Sequence, residues 1–355
     1  MTVSGAPGPG DRAPSPVPFT VDPWDPAYGQ AFSEEGDGAG LGESSAELVL
    51  DLELPAAEWR PVDPDLGAVL PGVVLFVDGV RRIDARVWVH GGGQPASGIA
   101  ASLAAGVVAC DGAARIVEVA TERGLFTAAP EAMGIDAGKA SYVARLAAGP
   151  GYEQLSLALQ QRLSAIEVEL AFAVRDARPH GDDLLVVDGP LRGRTHMNRT
   201  VGYIKTHHAS YLPPELAAVV GALRPGQRTP AFTMGTSWRR HSWYLQLPPA
   251  GGHPGHAGRP PWSAPSRRAP WAGVVRIECS ADLPAKEVTE LADLTARMLP
   301  PLASAPHKDP RAPQNLVPIG GLERELRRRL GDQQLRYRAL RSAALNAAIG
   351  PADDH

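Results

Sequence analysis

Two uninterrupted apolar runs in this chain, LFVDG at Leu75–Gly79 and LLVVDG at Leu184–Gly189, close on the same Val-Asp-Gly tripeptide. Runs of this kind are buried strands, so the chain must build a sheet whose interior is covered on both faces. Each run also delivers a carboxylate, Asp78 or Asp188, beside a glycine that lets another backbone approach closely. Carboxylates placed in this way are how phosphodiester-cleaving folds hold divalent metal. Asp-Gly is equally a favoured turn dipeptide, and that alternative stays open for each aspartate taken alone.

The length of 355 residues, 44% of them hydrophobic, suits one elaborated α/β domain with tails and a sizeable core. No apolar run is long enough for a membrane span, and the N-terminus lacks a basic stretch followed by an apolar one, so a soluble cytoplasmic protein is expected. Cys110 and Cys279 stand far apart without a CxxC or a histidine pair, which supports neither a disulfide framework nor a zinc site. The net charge of −4 is unevenly spread, because residues 1–66 carry 13 Asp or Glu against Arg12 and Arg60. The remainder is therefore basic, and His307 to Arg341 holds nine Lys or Arg against four acids. That balance fits a polyanionic partner, or simply a solvated charged helix.

Residues 1–47, rich in Gly, Pro, Ser and acids, are expected to form a disordered tail. A single domain then spans 48–347, with a Pro- and Gly-rich loop at 249–270 and a C-terminal tail at 348–355. LVLDLEL from Leu48 alternates as a half-exposed strand does. GVVLFVDG and RRIDARVWVH are expected to form a hairpin turning at Asp78 to Arg82. Two further extended segments meet at Asp111-Gly112. Leu159, Leu163, Ile166, Leu170 and Val174 recur at helical spacing from Tyr152 onward, and that helix leads into LLVVDG. Beyond lie a strand VGYIKT, a helix after Pro213-Pro214, strands near FTMG, SWYLQL and GVVRIEC, and helices near Ala285–Leu299 and Leu322–Asn346. Antiparallel strands, then a helix, then strands alternating with helices is the order of a ribonuclease-H-like mixed sheet with flanking helices.

Two-metal phosphodiester hydrolysis needs several converging carboxylates. Beside Asp78 and Asp188, the helix preceding Asp188 offers Glu167 and Glu169, both flanking its apolar stripe. Lys205, at the end of VGYIK, can neutralise charge near a metal-bound phosphate. The neighbouring His207 and His208 would point to opposite sides of a continuing strand and make no ligand pair. Arg239, Arg240 and His241, beside Trp238 and Trp243, mix basic and aromatic groups as phosphate- and base-gripping surfaces do, while core tryptophans beside a solvated charge pair are the plainer alternative. Asp309 sits in a proline-constrained loop before a basic helix; Arg311 and Arg328 from this segment join Arg239 and Arg240 as candidate DNA-binding groups. Walker, GxGxxG, GxSxG and HExxH motifs are absent.

FVDG, a glutamate-bearing helix, LLVVDGPL, VGYIKTHHASYL and KDPRAPQNL, in this order across residues 70–330, resemble the NurA-type nucleases. The resemblance implies a ribonuclease-H-like domain that uses Mn²⁺ or Mg²⁺ to cut DNA, as a homodimer working with a HerA-like hexameric ATPase in end processing. Carried over, Asp78 and Asp188 are metal aspartates, Glu167 or Glu169 the helical glutamate, and Lys205 the lysine after the second aspartate. Where the family continues to an Ala-His pair, this chain has Ile319 and Gly320. Either His307 or Asp309 takes that role, or activity is weakened, or the chain has become a binding or ATPase-recruiting subunit.

Overall fold

The structure is a computed structural model that describes residues 18–23, 42–43, 46–91, 93–178, 181–191, 197–207, 209–236, 238–248 and 271–349. In chain order its strands and helices are β1 (Phe19–Val21), β2 (Gly42–Glu43), β3 (Glu47–Val49), β4 (Val73–Val89), β5 (Ala96–Cys110), β6 (Ala114–Thr127), β7 (Ile135–Ala137), β8 (Ala140–Leu146), α1 (Tyr152–Asp176), β9 (Asp183–Asp188), β10 (Thr200–Ile204), β11 (Ala209–Ser210), α2 (Pro214–Gly221), β12 (Phe232–Gly235), β13 (Arg239–Gln246), β14 (Val274–Ser280), α3 (Ala285–Met298), α4 (Val317–Leu330) and α5 (Gln333–Ile349). The expected 249–270 loop, nearly all of the N-terminal tail and residues 350–355 lie outside the described residues.

One large mixed sheet runs in the order β3-β12-β13-β14-β10-β9-β4-β5-β6-β8-β7, and β1 also pairs with β4. At its centre β4, β9 and β10 are parallel. β5 and β6 extend β4 as an antiparallel meander, and β14 flanks β10 antiparallel. The chain is thus a mixed α/β protein with helices on both faces of the sheet. Strand alternation assigns the layers. Val74, Phe76, Leu184 and Val186 pack with Val288 and Leu291 of α3 and with Ile319, Leu322 and Leu326 of α4. Leu75, Val77, Leu185 and Val187 pack on the other face with Leu159, Leu163 and Ile166 of α1. Each of these three α1 side chains is at most 3% exposed, and each such burial contributes about 1.5–3 kcal/mol.

Four expectations change. The proposed hairpin at Asp78–Arg82 is one continuous 17-residue strand, β4, paired along its length with β5. Asp78 therefore lies inside a strand and not at its end, because the unbroken pairing with β5 through Asp78–Arg82 outweighs the turn preference of Asp-Gly. The C-terminal helix is two helices, since Gly331 at φ +76° breaks α4 from α5. Within the supposed tail, Phe19–Val21 forms a strand, with the Phe19 side chain buried under β4 and α5. LVLDLEL contributes only a three-residue edge strand, β3, against β12.

Candidate metal centre

Alternation along β4 puts Asp78 on the face of Val74 and Phe76, toward α4. Along β9 it puts Asp188 on the face of Leu184 and Val186, again toward α4. The two strands are parallel neighbours in register, Val77 opposite Val187, so both aspartates emerge side by side. A third carboxylate descends from α4: one oxygen each of Asp78, Asp188 and Glu323 lie within 4.8 Å of one another. Asp78 and Glu323 are 7% exposed. Glu323 follows Ile319 by four residues and precedes Leu326 by three, which places it at the border of the buried stripe of α4. Sequence reasoning missed it among the charges of LERELRRRL, although this spacing distinguishes it from Glu325.

Asp78 Oδ1 accepts from the Gly79 backbone N–H at 2.7 Å, while its buried Oδ2 has no hydrogen-bond partner among the described residues. Burial, and then the nearby Asp188, push the Asp78 carboxyl well above its usual range. Burial likewise raises Asp188, against the pull of Lys205. An orphaned carboxylate oxygen among repelling carboxylates is the electrostatic situation a bound cation relieves. The donor set is oxygen throughout, which suits a hard divalent ion such as Mg²⁺ or Mn²⁺ and not a thiolate- or imidazole-seeking metal. The residues present fit such an ion, with Asp78, Asp188 and Glu323 as its ligands.

Lys205 follows β10 directly, and its Nζ donates to Asp188 Oδ2 at 2.6 Å and to Asn315 Oδ1 at 3.0 Å, with Glu323 at 3.9 Å. The expected lysine thus joins the site. Asp309 is nearby without belonging to the carboxylate trio. Its oxygens accept from Asn315 Nδ2 at 2.6 Å and from Arg311, whose guanidinium also bonds Glu323. Although burial alone would raise it, the hydrogen bonds from Arg311 and Asn315 hold Asp309 down at about 2.

Glu167, expected on the flank of the apolar stripe of α1, is buried, but over the opposite face of the sheet. A β-carbon on Gly79 would meet its Oε1 at 2.5 Å and Leu163 Cδ1 at 2.8 Å. It therefore approaches the Asp78-Gly79 backbone from behind and is replaced in the trio by Glu323. Glu169 is 60% exposed and pairs with Arg162 at 2.8 Å, away from the site. His307 is exposed, and His207 Nε2 bonds the Val274 carbonyl at 3.0 Å, while His208 lies outside the described residues.

The proposed basic and aromatic grip dissolves into the core. Arg240 lies over the Trp238 ring and pairs with the fully buried Glu278 at 3.1 Å. Trp243 Nε1 donates to Thr295, and His241 is held by Thr233 and the Leu283 carbonyl. Arg240, His241 and Trp243 sit on β13, an interior strand covered on both faces, so consecutive residues are buried; only Arg239 of this group is exposed. Arg328 is exposed on α4 and bonds Glu325 at 2.7 Å, whereas the half-exposed Arg311 borders the trio itself. Among the described residues, no helix is long and apolar enough to cross a membrane. No protein-family model matches the chain, and comparison with curated proteins returns no match.

Proposed function

We propose that the protein is a metal-dependent deoxyribonuclease of the NurA type with a ribonuclease-H-like core. The observation that carries this reading is the orphaned, buried Asp78 Oδ2 converging with Asp188 and Glu323. The parallel β4, β9 and β10 extended by the antiparallel β5 and β6 support the fold assignment. Asp78, Asp188 and Glu323 would hold Mn²⁺ or Mg²⁺, which would supply Lewis-acid chemistry for phosphodiester hydrolysis. Lys205 stands where its ammonium can neutralise charge developing on a phosphate held beside Asp188. Arg311, half exposed at the rim, grips an adjacent phosphate. DNA as substrate, a HerA-like hexameric ATPase as partner and a homodimer follow from the sequence resemblance.

The test is cleavage of end-labelled single-stranded and duplex DNA with Mn²⁺, Mg²⁺ or EDTA. Cutting that requires metal and disappears in Asp78→Ala and Asp188→Ala is the expected result. A well-folded wild type that neither cuts nor binds Mn²⁺ overturns the proposal. One observation favours a second reading, that of a catalytically weak DNA-binding or ATPase-recruiting subunit. A β-carbon at Gly320 would sit 3.2 Å from Asn315 Nδ2 and 3.3 Å from Asp309 Oδ2, so no larger side chain, such as the imidazole the family pattern leads one to expect, fits there without displacing that pair. Mn²⁺ binding and DNA retention without cleavage would select this reading.

A further inference from the structure

We infer that Asn315 is the positioning residue for Lys205, an inference that rests on the nuclease reading of the carboxylate trio. Five side chains close a ring at the site, Lys205, Asn315, Asp309, Arg311 and Glu323, with Glu323 returning to Lys205 at 3.9 Å and Asp188 joined to the ring through Lys205. Asn315 is the one neutral member. It is fully buried, accepts from the Lys205 ammonium at 3.0 Å and donates to Asp309 Oδ2 at 2.6 Å. An acceptor facing an ammonium and a donor facing a carboxylate, on two separate atoms of one short side chain, is a demand that a carboxamide meets. A carboxylate there would repel Asp309, and a hydrocarbon would take one hydrogen-bond partner from each, leaving Lys205 to Asp188 and Asp309 to Arg311.

The neutrality matters for the metal. Lys205 also contacts Asp188, so an ammonium with carboxylates as its only partners would be drawn onto the oxygens a cation needs. Asn315 pulls it from the other side without adding negative charge. The segment that presents Asn315 is itself fastened. Gln314 Nε2 donates to the Lys205 carbonyl at 3.1 Å, Tyr203 Oη donates to the Gln314 carbonyl at 2.6 Å, and Ser304 N–H donates to the Asn315 carbonyl at 3.0 Å. The side chain of residue 315 and the main chain of residue 205 are thereby held together from two directions.

The chain has four lysines, so acetic anhydride labelling read by mass spectrometry resolves Lys205 from Lys286, whose side chain is 88% exposed. This measurement needs no catalysis. It is combined with Mn²⁺ titration by electron paramagnetic resonance and with DNA cleavage, for wild type, Asn315→Leu, Asn315→Asp and the exchanged pair Asp309→Asn with Asn315→Asp.

Expected are strong protection of Lys205 in the wild type and labelling about fivefold faster in Asn315→Leu. In that variant kcat falls about 30-fold, with KM and Mn²⁺ affinity within about threefold, as for a group acting through a neighbour. Asn315→Asp keeps Lys205 protected but loses about tenfold in kcat, and the exchanged pair, which restores donor facing acceptor, returns to within about threefold of wild type. Because Asn315→Asp is isosteric, it decides the matter even if the leucine variant does not fold. Lys205 labelling as fast as Lys286 in the wild type, or single variants unchanged in both labelling and kcat, or an exchanged pair as impaired as Asn315→Asp, each overturns the inference. A wild type without Mn²⁺ binding or cleavage overturns instead the nuclease reading, and the labelling still reports on Asn315.

Discussion

Two of the charged clusters that the molecule buries obey opposite rules. Arg228, 1% exposed, donates two hydrogen bonds of 2.8 Å to Glu53 and one of 2.8 Å to Asp293, while the Ala231 N–H also donates to Glu53. A single fork between two carboxylates satisfies both, and the cluster ties the segment after β3 to α3. Around Asp78, four carboxylates (Asp78, Asp188, Glu323 and Asp309) share two cations, Lys205 and Arg311, and one buried oxygen is left over. The first arrangement is complete as folded. The second carries an excess of carboxylates over cations, the feature on which the proposed metal site rests.

The most damaging change should be Arg228→Met. Removing one partner of a buried pair leaves Glu53 and Asp293 uncompensated, at about 3–5 kcal/mol, read by urea unfolding, with Mn²⁺ affinity unaltered. If this variant is as stable as the wild type, the contrast between the clusters fails. Next, Glu323→Ala should reduce metal-dependent cleavage about 10²- to 10³-fold without comparable loss of stability; undiminished cutting would return the helical ligand to Glu167. Saturating metal should then distinguish the clusters directly. At a hundredfold excess over its dissociation constant, Mn²⁺ stabilises the wild type by about 2.7 kcal/mol, and Asp78→Asn and Asp188→Asn by far less.

The pH dependence sharpens the same comparison. Native Asp78 and Asp188 retain protons at pH values where the unfolded chain has released them. Metal-free stability therefore falls as pH rises from about 4 through their raised native values. Asp78→Asn flattens that slope, and added Mn²⁺ removes it. Asp309, held at about 2, works in the other direction, its contribution being lost only as pH drops from about 4 toward 2. The smallest effect belongs to Glu169→Gln, an exposed pairing with Arg162, which should change stability by no more than about 0.5 kcal/mol and leave cleavage intact. A strong loss of activity there would mean that α1 reaches the site after all.

How much of this was legible in the sequence depends on the element. Asp78 and Asp188 announced themselves because each closes an uninterrupted apolar run that reads as a buried strand, and the parallel register then brings them together. Glu323 was hidden because α4 alternates Glu and Arg along its exposed side, and only its four-residue step from Ile319 marks it as half-inward. The β4 hairpin was misjudged because Asp-Gly looks the same in a turn and in a strand. Choosing between them takes the 15-residue partner strand β5, a long-range pairing that no local pattern encodes. Arg240 looked like surface for a similar reason, since its partner Glu278 lies on β14, beyond the 249–270 segment in sequence.

The continuity of β4 gives the site a stiff wall and a compliant one. Asp78 is carried by a strand laced to β5 on one side and to β9 on the other, so its amide neighbourhood should exchange hydrogen only through global unfolding. Lys205, Asp309, Arg311 and Asn315 lie instead on connecting segments outside the ladder of the sheet. On the nuclease reading, ion entry and release are therefore expected to shift this side of the site and leave β4 in place. Deuterium uptake in the presence and absence of Mn²⁺ should then differ at residues 305–316 and stay unchanged along β4.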